Sequence, residues 1–127
     1  MKAISAAVLL SAAIVSAHAA PFEDIVVYGD SLSDIGRVFA ITSGLGIPTP
    51  PSPPYYNGRF SNGPVAVEDL AAHYGVPIAD FAFGGATTGI GDFGDGGSVV
   101  SLGARNLPGI TSQFQLTAPT VAQIAST

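Results

Sequence analysis

The feature that most constrains the fold is a short apolar run, Ile25 to Tyr28, that ends abruptly in Gly-Asp-Ser at residues 29–31. Three of its four residues are β-branched and the fourth is aromatic, which is typical of a buried strand. The glycine permits a sharp turn, and Ser31 followed three residues later by Asp34 matches a helix-start pattern. The sequence therefore predicts a serine between the carboxyl end of a strand and the N-terminus of a helix. Open α/β sheets bind ligands at that edge, and a helix N-terminus stabilises an anion.

The rest of the chain predicts further elements from its apolar spacing and its glycines and prolines. These are a helix over 34–45 that ends at Gly44 or Gly46, an extended proline-rich loop over 48–54, a helix over 64–73 that Gly75 ends, a strand over 78–83, a mobile loop over 89–109, and a helix from Pro108 or Thr111 to 125. Two strands separated by helices indicate a parallel sheet with right-handed crossovers. A doubly wound domain needs about four or five strands, so we expect an incomplete domain in a truncated chain.

The N-terminus has the features of a signal peptide. Lys2 precedes a small-residue apolar run from Ala3 to Ala17, and Ala17-His18-Ala19 supplies a cleavage pattern. The run is too short for a membrane span. We expect residues 1–19 to be removed and residues 20–127 to be secreted or periplasmic, with no stable membrane span in the mature chain.

The charge of the mature segment excludes some partners. Without Lys2 the chain has three arginines against nine acidic residues and no lysine, which argues against nucleic acid or an anionic membrane as a partner. There is no cysteine, so an oxidising compartment is permitted but no disulfide framework exists.

Ser31 has two interpretations from its position alone. Most serines at helix starts are caps that accept a backbone N–H, whereas a few are nucleophiles. The surrounding residues decide between them. Residues 27–34 (VYGDSLSD) resemble the nucleophile block of the GDSL lipase/esterase family, the SGNH hydrolases. Residues 55–64 (YYNGRFSNGP) resemble a segment of the longer, lipase-like members, and residues 80–86 (DFAFGGA) resemble their second block.

The resemblance covers roughly residues 22–115 and implies a three-layer, flavodoxin-like α/β fold with a parallel sheet, of which this chain is the N-terminal portion. It also implies hydrolysis of a small-molecule or lipid ester without metal or cofactor. By resemblance Ser31 is the nucleophile and gives its own N–H to the oxyanion. Gly85 gives a second N–H, with Gly84 as the neighbouring alternative. The family usually has Asn where this chain has Asp80.

A general base for Ser31 is not recognisable in the sequence. The family's later blocks, which supply an Asn and an Asp-x-x-His pair, are not found before Thr127. Asp69 and His73 have the spacing of a surface helix pair, and we do not expect them to form a triad. A non-catalytic fragment or remnant of such a hydrolase is therefore the alternative. A phosphatase that uses Asp30 is weaker, because the mature chain has no lysine to hold phosphate.

Other polar and aromatic residues have mainly structural interpretations. Arg59 in the second resembling segment is expected to be solvated or paired. Tyr55 and Tyr56 either border an acyl cleft or pack on the proline loop. Asp92 and Asp95 faintly resemble a calcium site, but the twelve-residue ligand pattern is missing and turn formation is the better interpretation.

Overall fold

The computed structural model describes residues 22–116, so the predicted signal peptide and the end of the last predicted helix lie outside the described residues. The elements are β1 (Ile25–Val27), α1 (Arg37–Gly44), α2 (Ala66–Tyr74), β2 (Ile78–Asp80) and a single 3₁₀ turn (Phe93–Asp95). Residues 110–116 are also helical. No helix within residues 22–116 is long and apolar enough to cross a membrane.

The two strands pair in parallel, with Ile25 opposite Ile78 and Val27 opposite Asp80. Hydrogen bonds continue beyond both strands, because the carbonyl of Gly29 accepts the N–H of Phe83 at 3.2 Å. Helices α1 and α2 form the connection between the strands. The predicted α/β class with a parallel sheet is confirmed for this part of the chain, although β2 ends at Asp80 rather than at residue 83.

Helix α1 begins three residues later than the sequence predicts. The prediction places its start at Asp34, but its first residue is Arg37 and its N-cap is Gly36, in the left-handed region with φ of 114°. Residues 31–33 form a separate turn before it. The prediction that Ser31 lies at the N-terminus of this helix is therefore wrong, because a left-handed glycine separates the turn from the helix.

Helix α2 forms close to its predicted limits. The side chain of Glu68 accepts the N–H of Val65 at 3.0 Å, which is one half of a capping box. The N–H of Glu68 bonds to the backbone carbonyl of Val65 at 2.9 Å, since valine has no side-chain acceptor. At the other end Gly75 adopts a left-handed conformation with φ of 67°, and its N–H bonds back to the last helical carbonyls. The predicted role of Gly75 as the end of this helix is confirmed.

The core joins three parts of the chain. Val38 of α1, Phe83 after β2 and Leu107 pack together, each 4% exposed, and the side chains of Phe60 and Ala86 pack against them. Apolar contacts of this kind are the main stabilising term for a small core. The contribution of Leu107 means that the long glycine-rich segment is part of the core.

The segment 89–109 is irregular but densely hydrogen-bonded. The carboxylate of Asp95 accepts the N–H groups of Gly97, Arg105 and Leu107. Isolated bridges connect residue 86 to 92, residue 91 to 108 and residue 98 to 101. The segment is therefore held by several internal hydrogen bonds, which the prediction of a mobile loop does not include.

Candidate active site

The turn that carries Ser31 is closed by the residue before it. The carbonyl of Asp30 accepts the N–H groups of Ser33 and Asp34, both at 3.1 Å, and its carboxylate accepts the N–H of Leu32 at 3.0 Å. Ser31 is half-buried, and neither its N–H nor its hydroxyl has a hydrogen-bond partner within residues 22–116. Because its hydroxyl accepts no backbone N–H there, Ser31 is not a helix cap.

The N–H groups at the start of α1 are accepted by the side chain of Asp34, which is 0% exposed and lies two residues before the N-cap Gly36. Its Oδ1 accepts the N–H of Gly36 at 2.7 Å and of Arg37 at 2.6 Å, and its Oδ2 accepts the N–H of Val38 at 3.3 Å. The same Oδ2 accepts the N–H of Gly84 at 2.9 Å. One carboxylate therefore accepts N–H groups at the start of α1 and joins the Ser31 turn to the glycine pair after β2.

This bond separates the two glycines that the sequence leaves as alternatives. The N–H of Gly84 is used by Asp34, whereas the N–H of Gly85 has no acceptor within the described part of the chain. Gly85 has a φ of 100°, which favours glycine. The N–H of Gly84 therefore serves an internal hydrogen bond, whereas that of Gly85 does not within residues 22–116.

Ser31 and Gly85 line the same cavity, which has a volume of about 400 Å³. This size lies in the range of small-molecule sites. Its walls are mainly apolar, with two threonines and one arginine. The remaining lining residues are Val38, Thr42, Ile47, Thr49, Phe60, Gly84, Gly94, Arg105 and Leu107.

Phe60, which belongs to the resembling segment 55–64, lines this cavity. Its ring lies directly over Gly84, where an added Cβ would approach the ring to 2.1 Å. The neighbouring Arg59 points elsewhere and pairs with Glu68 through two hydrogen bonds, at 3.1 Å and 2.5 Å. The hydrogen bonds that Arg59 donates to Glu68 raise the pKa of Arg59 and lower that of Glu68. Arg59 is thus paired, as the sequence predicts, and Phe60 is the residue of the segment that lines the site.

The two tyrosines of that segment do not line the Ser31 cavity. Tyr55 packs edge-on against the ring of Phe60 at 6.3 Å, and Tyr56 lies under the guanidinium of Arg59 at 5.8 Å. Both are partly exposed, at 39% and 41%. Their contacts are thus with Phe60 and Arg59 of the same segment.

Asp80, where the family usually has Asn, uses both carboxylate oxygens. Oδ1 accepts the N–H of Ala82 at 3.0 Å, and Oδ2 accepts the N–H of Ile35 at 3.1 Å. An asparagine offers only one acceptor oxygen, so the acid at this position adds a link from β2 to the start of α1. Burial raises the pKa of Asp80, while these two N–H groups oppose the shift.

Asp92 lies next to Gly85, where a Cβ added to the glycine would approach Oδ1 of Asp92 to 2.3 Å. Its side chain is 0% exposed, its Oδ1 accepts the N–H of Gly94 at 2.6 Å, and its Oδ2 has no partner within residues 22–116. Burial raises the pKa of Asp92 to about 6, and the charges of Asp95 and Asp34 add to the shift. Asp92 and Asp95 both accept backbone N–H groups, which confirms their predicted turn-forming role. No cluster of residues able to hold a metal ion occurs in the region 22–116.

His73 does not line the Ser31 cavity. It is exposed on α2 and its ring packs against that of Tyr74 at 4.9 Å. Asp69 is also exposed, and no hydrogen bond joins the pair. Among the described residues, no histidine faces Ser31 across the cavity.

Several residues of the site are not predicted from the sequence. The second role of Asp34, the apolar lining by Ile47 and Leu107, and the buried amide of Gln113 all depend on contacts between segments distant in the chain. The position of Asp34 three residues after Ser31 predicts an acid at a helix start, but it does not predict the bond to Gly84. Nothing in the sequence distinguishes Gln113 from a surface glutamine.

Comparison with curated proteins finds an acyltransferase and GDSL esterases/lipases among the relatives of this chain. The chain is 51% identical over 67 residues to a phosphatidylcholine-sterol acyltransferase of Aeromonas hydrophila, a match that covers 52% of this chain and 19% of the relative. Two GDSL esterases/lipases of Arabidopsis thaliana are 30% identical over 88 residues and 31% identical over 70 residues. These matches cover 52% and 50% of this chain, and 23% and 18% of those relatives.

The chain thus spans about a fifth of the length of these relatives. No family model matches it. The resemblance to GDSL esterases/lipases that the motifs indicate is confirmed by the relatives, and with it the SGNH type of α/β fold.

Proposed function

We propose that this chain, which is homologous over about half of its length to GDSL esterases/lipases, is the nucleophile-bearing part of a secreted serine hydrolase that cleaves carboxylic esters. The observation that carries the proposal is the shared cavity of Ser31 and Gly85, whose two N–H groups have no acceptor within residues 22–116. The homology indicates the type of reaction, and the cavity shared by Ser31 and Gly85 is where we propose that the reaction occurs.

In the proposed reaction the Oγ of Ser31 attacks the ester carbonyl carbon and loses its proton to a base. The carbonyl oxygen becomes an oxyanion, which accepts hydrogen bonds from the N–H groups of Ser31 and Gly85. The ester C–O bond then breaks, the alcohol leaves with a proton, and an acyl group remains on Ser31. Water attacks this acyl-enzyme and releases the acid. Each preorganised N–H donor lowers the barrier by roughly 3 to 4 kcal/mol.

The general base is proposed to come from outside the described residues. His73 is exposed and does not line the cavity, so it does not supply the base in this arrangement. Secretion rests on the signal-peptide pattern of residues 1–19. Because the net charge of the sequence is −5, nucleic acid is not a proposed partner.

The substrate is proposed to be an ester with an apolar acyl group. The cavity walls next to Ser31 are formed by Val38, Ile47, Phe60 and Leu107, which suit a hydrocarbon chain. The relative from Aeromonas hydrophila is named a phosphatidylcholine-sterol acyltransferase, which makes lipid acyl esters the first substrates to test.

The experiment measures hydrolysis of p-nitrophenyl esters of increasing chain length by the full-length product of the gene that encodes this chain. We expect Ser31→Ala to reduce kcat by about a thousandfold or more, since removal of a nucleophile leaves only binding and oxyanion contributions. Ser33→Ala is the matched control, because Ser33 lies in the same turn but does not line the cavity. Full activity in Ser31→Ala would overturn the proposal.

A non-catalytic role is the second candidate, and it is favoured by the exposed position of His73 away from the cavity. A serine-directed fluorophosphonate distinguishes the two candidates. Labelling of Ser31, identified by mass spectrometry and lost in Ser31→Ala, supports the hydrolase. Absence of labelling together with absence of ester hydrolysis supports the non-catalytic protein.

A further inference from the structure

Gln113 is a fully buried polar side chain whose amide bonds to the backbone of Gly29. The residue is 0% exposed and lies in the helical segment 110–116. Its Oε1 accepts the N–H of Gly29 at 2.9 Å, and its Nε2 donates to the carbonyl of the same residue at 2.8 Å. The two residues are 84 positions apart in the chain. The amide therefore acts on Gly29 as a neighbouring strand would.

The orientation of this amide is fixed by its neighbours. Oε1 faces a donor, whereas Nε2 faces two acceptors, the carbonyls of Gly29 and of Pro108, the latter at 3.4 Å. The reversed amide would place oxygen against carbonyl oxygen. The rings of Phe114 and Tyr28 pack at a tilt of 42°, with centroids 4.4 Å apart, beside the end of β1.

Gly29 is the residue at which the strand becomes the Ser31 turn. Its carbonyl also accepts the N–H of Phe83 at 3.2 Å, so the backbone of Gly29 is held from two sides. At the far end of the turn Asp34 is held by Gly84. Ser31 lies between these two fixed points and has no hydrogen bond of its own within residues 22–116.

We propose that Gln113 is a positioning residue for Ser31. It holds the backbone of Gly29 so that the hydroxyl and N–H of Ser31 face the cavity that Gly85 also lines. The inference rests on the proposed hydrolase function, and it adds a residue that does not line the Ser31 cavity and acts only through the main chain.

The decisive variant is Gln113→Glu in the full-length gene product. An ionised glutamate accepts the N–H of Gly29 but repels its carbonyl, whereas a protonated glutamate restores an O–H donor. We expect kcat on a p-nitrophenyl ester to fall about 10- to 100-fold at pH 8, with KM little changed, because misplacement of about 1 Å costs activity of this order. The ratio of variant to wild-type kcat then rises as the pH is lowered towards 5.

The ratio of variant to wild-type kcat reports on residue 113 alone, because the effects of groups that titrate in both proteins cancel. Gln115→Glu is the matched control, since Gln115 is exposed on the same helical segment and forms no hydrogen bond to Gly29. Its ratio is expected to stay near one at every pH. Gln113→Met, of similar length but with no hydrogen-bond donor and no titratable group, is expected to lower kcat at all pH values without recovery in acid.

The outcomes separate this inference from the proposed function. Activity that survives in Ser31→Ala overturns the nucleophile itself. Activity lost in Ser31→Ala but unchanged in Gln113→Glu, or reduced by the same factor at every pH, overturns only the positioning role. If neither Gln113 variant folds by circular dichroism, the residue serves the stability of the fold alone and the positioning role is also overturned.

Discussion

The carboxylate of Asp34 accepts the N–H of Gly84 at 2.9 Å across a sequence separation of 50 residues. The bond joins the turn that carries Ser31 to the glycine pair that follows β2. It also uses the N–H of Gly84 and leaves that of Gly85 without an acceptor in the described chain. A single buried side chain thereby links the candidate nucleophile to the candidate oxyanion donor.

Replacement of Asp34 by asparagine tests this link. An asparagine placed with its oxygen at Oδ1 keeps the N–H groups of Gly36 and Arg37, but its NH₂ faces the N–H of Gly84. We expect a loss of about 2 to 4 kcal/mol in the free energy of unfolding and a lower kcat, because a buried donor is left unpaired. Urea unfolding and ester hydrolysis of the full-length product measure both effects.

The control for Asp34 is Asp24→Asn, since Asp24 is exposed and accepts no hydrogen bond within residues 22–116. Its effect on unfolding is expected to stay within about 0.5 kcal/mol. An Asp34→Asn protein as stable and as active as the wild type would show that the bond to Gly84 has no energetic importance.

Gly85→Ala is expected to damage both stability and activity. The backbone φ of 100° is unfavourable for alanine, and the new Cβ would approach Oδ1 of Asp92 to 2.3 Å. Gly96→Ala is the matched control, because Gly96 has a φ of 84° but no atom within 4 Å of the added carbon. The control is expected to cost about 1 kcal/mol from the backbone alone. Gly85→Ala should lose clearly more stability than the control in thermal unfolding and should lower kcat. Equal losses of stability would show that the side chain of Asp92 moves aside at no energetic cost.

Asp92 is expected to make the protein less stable as the pH rises from about 4 to about 6. Burial raises its pKa to about 6, so the folded chain binds the proton more tightly than the unfolded chain. The unfolded state then holds fewer protons in this range, and stability falls with rising pH. Asp92→Asn removes the charge and keeps an acceptor for the N–H of Gly94.

For that variant we expect a gain of roughly 1 to 2 kcal/mol at pH 7 and little difference below pH 4. Unfolding free energies of wild type and variant, measured in urea from pH 4 to pH 8, give the difference directly. Since other acids titrate in both proteins, only this difference is diagnostic. A difference independent of pH would contradict the raised pKa.

The ion pair between Arg59 and Glu68 is expected to stabilise the fold modestly. The two side chains are each 20% exposed and the contact is bidentate, so a double-mutant cycle with Arg59→Met and Glu68→Gln should give a coupling of about 1 kcal/mol. The pKa of Glu68 is lowered by this pair, so its contribution is complete above the ordinary glutamate pKa and is lost as the pH falls through the lowered value. A coupling that does not weaken in acid would contradict this assignment.

Some of the fold was predictable because its signals are local. The apolar run before Gly29 predicts β1, and Gly75 predicts the end of α2 through its left-handed conformation. The start of α1 was not predictable in the same way. Asp34 has the spacing of a helix-start acid, but Gly36 adopts a left-handed conformation and the helix begins only at Arg37. Asp34 accepts the N–H groups of Gly36 and Arg37, so the acid still serves the start of the helix although the helix itself begins three residues later.

By itself the sequence determined the strand, the turn with Ser31, the paired glycines and the resemblance to GDSL esterases/lipases, because each is carried by neighbouring residues. Only the tertiary structure decided which glycine N–H bonds to Asp34, that Phe60 rather than Arg59 lines the cavity, and that the amide of Gln113 bonds to Gly29. These facts depend on hydrogen bonds between segments as far as 84 residues apart, which no local pattern encodes. Burial removes the competing bonds to water, so folding alone selects the partners of each buried polar group.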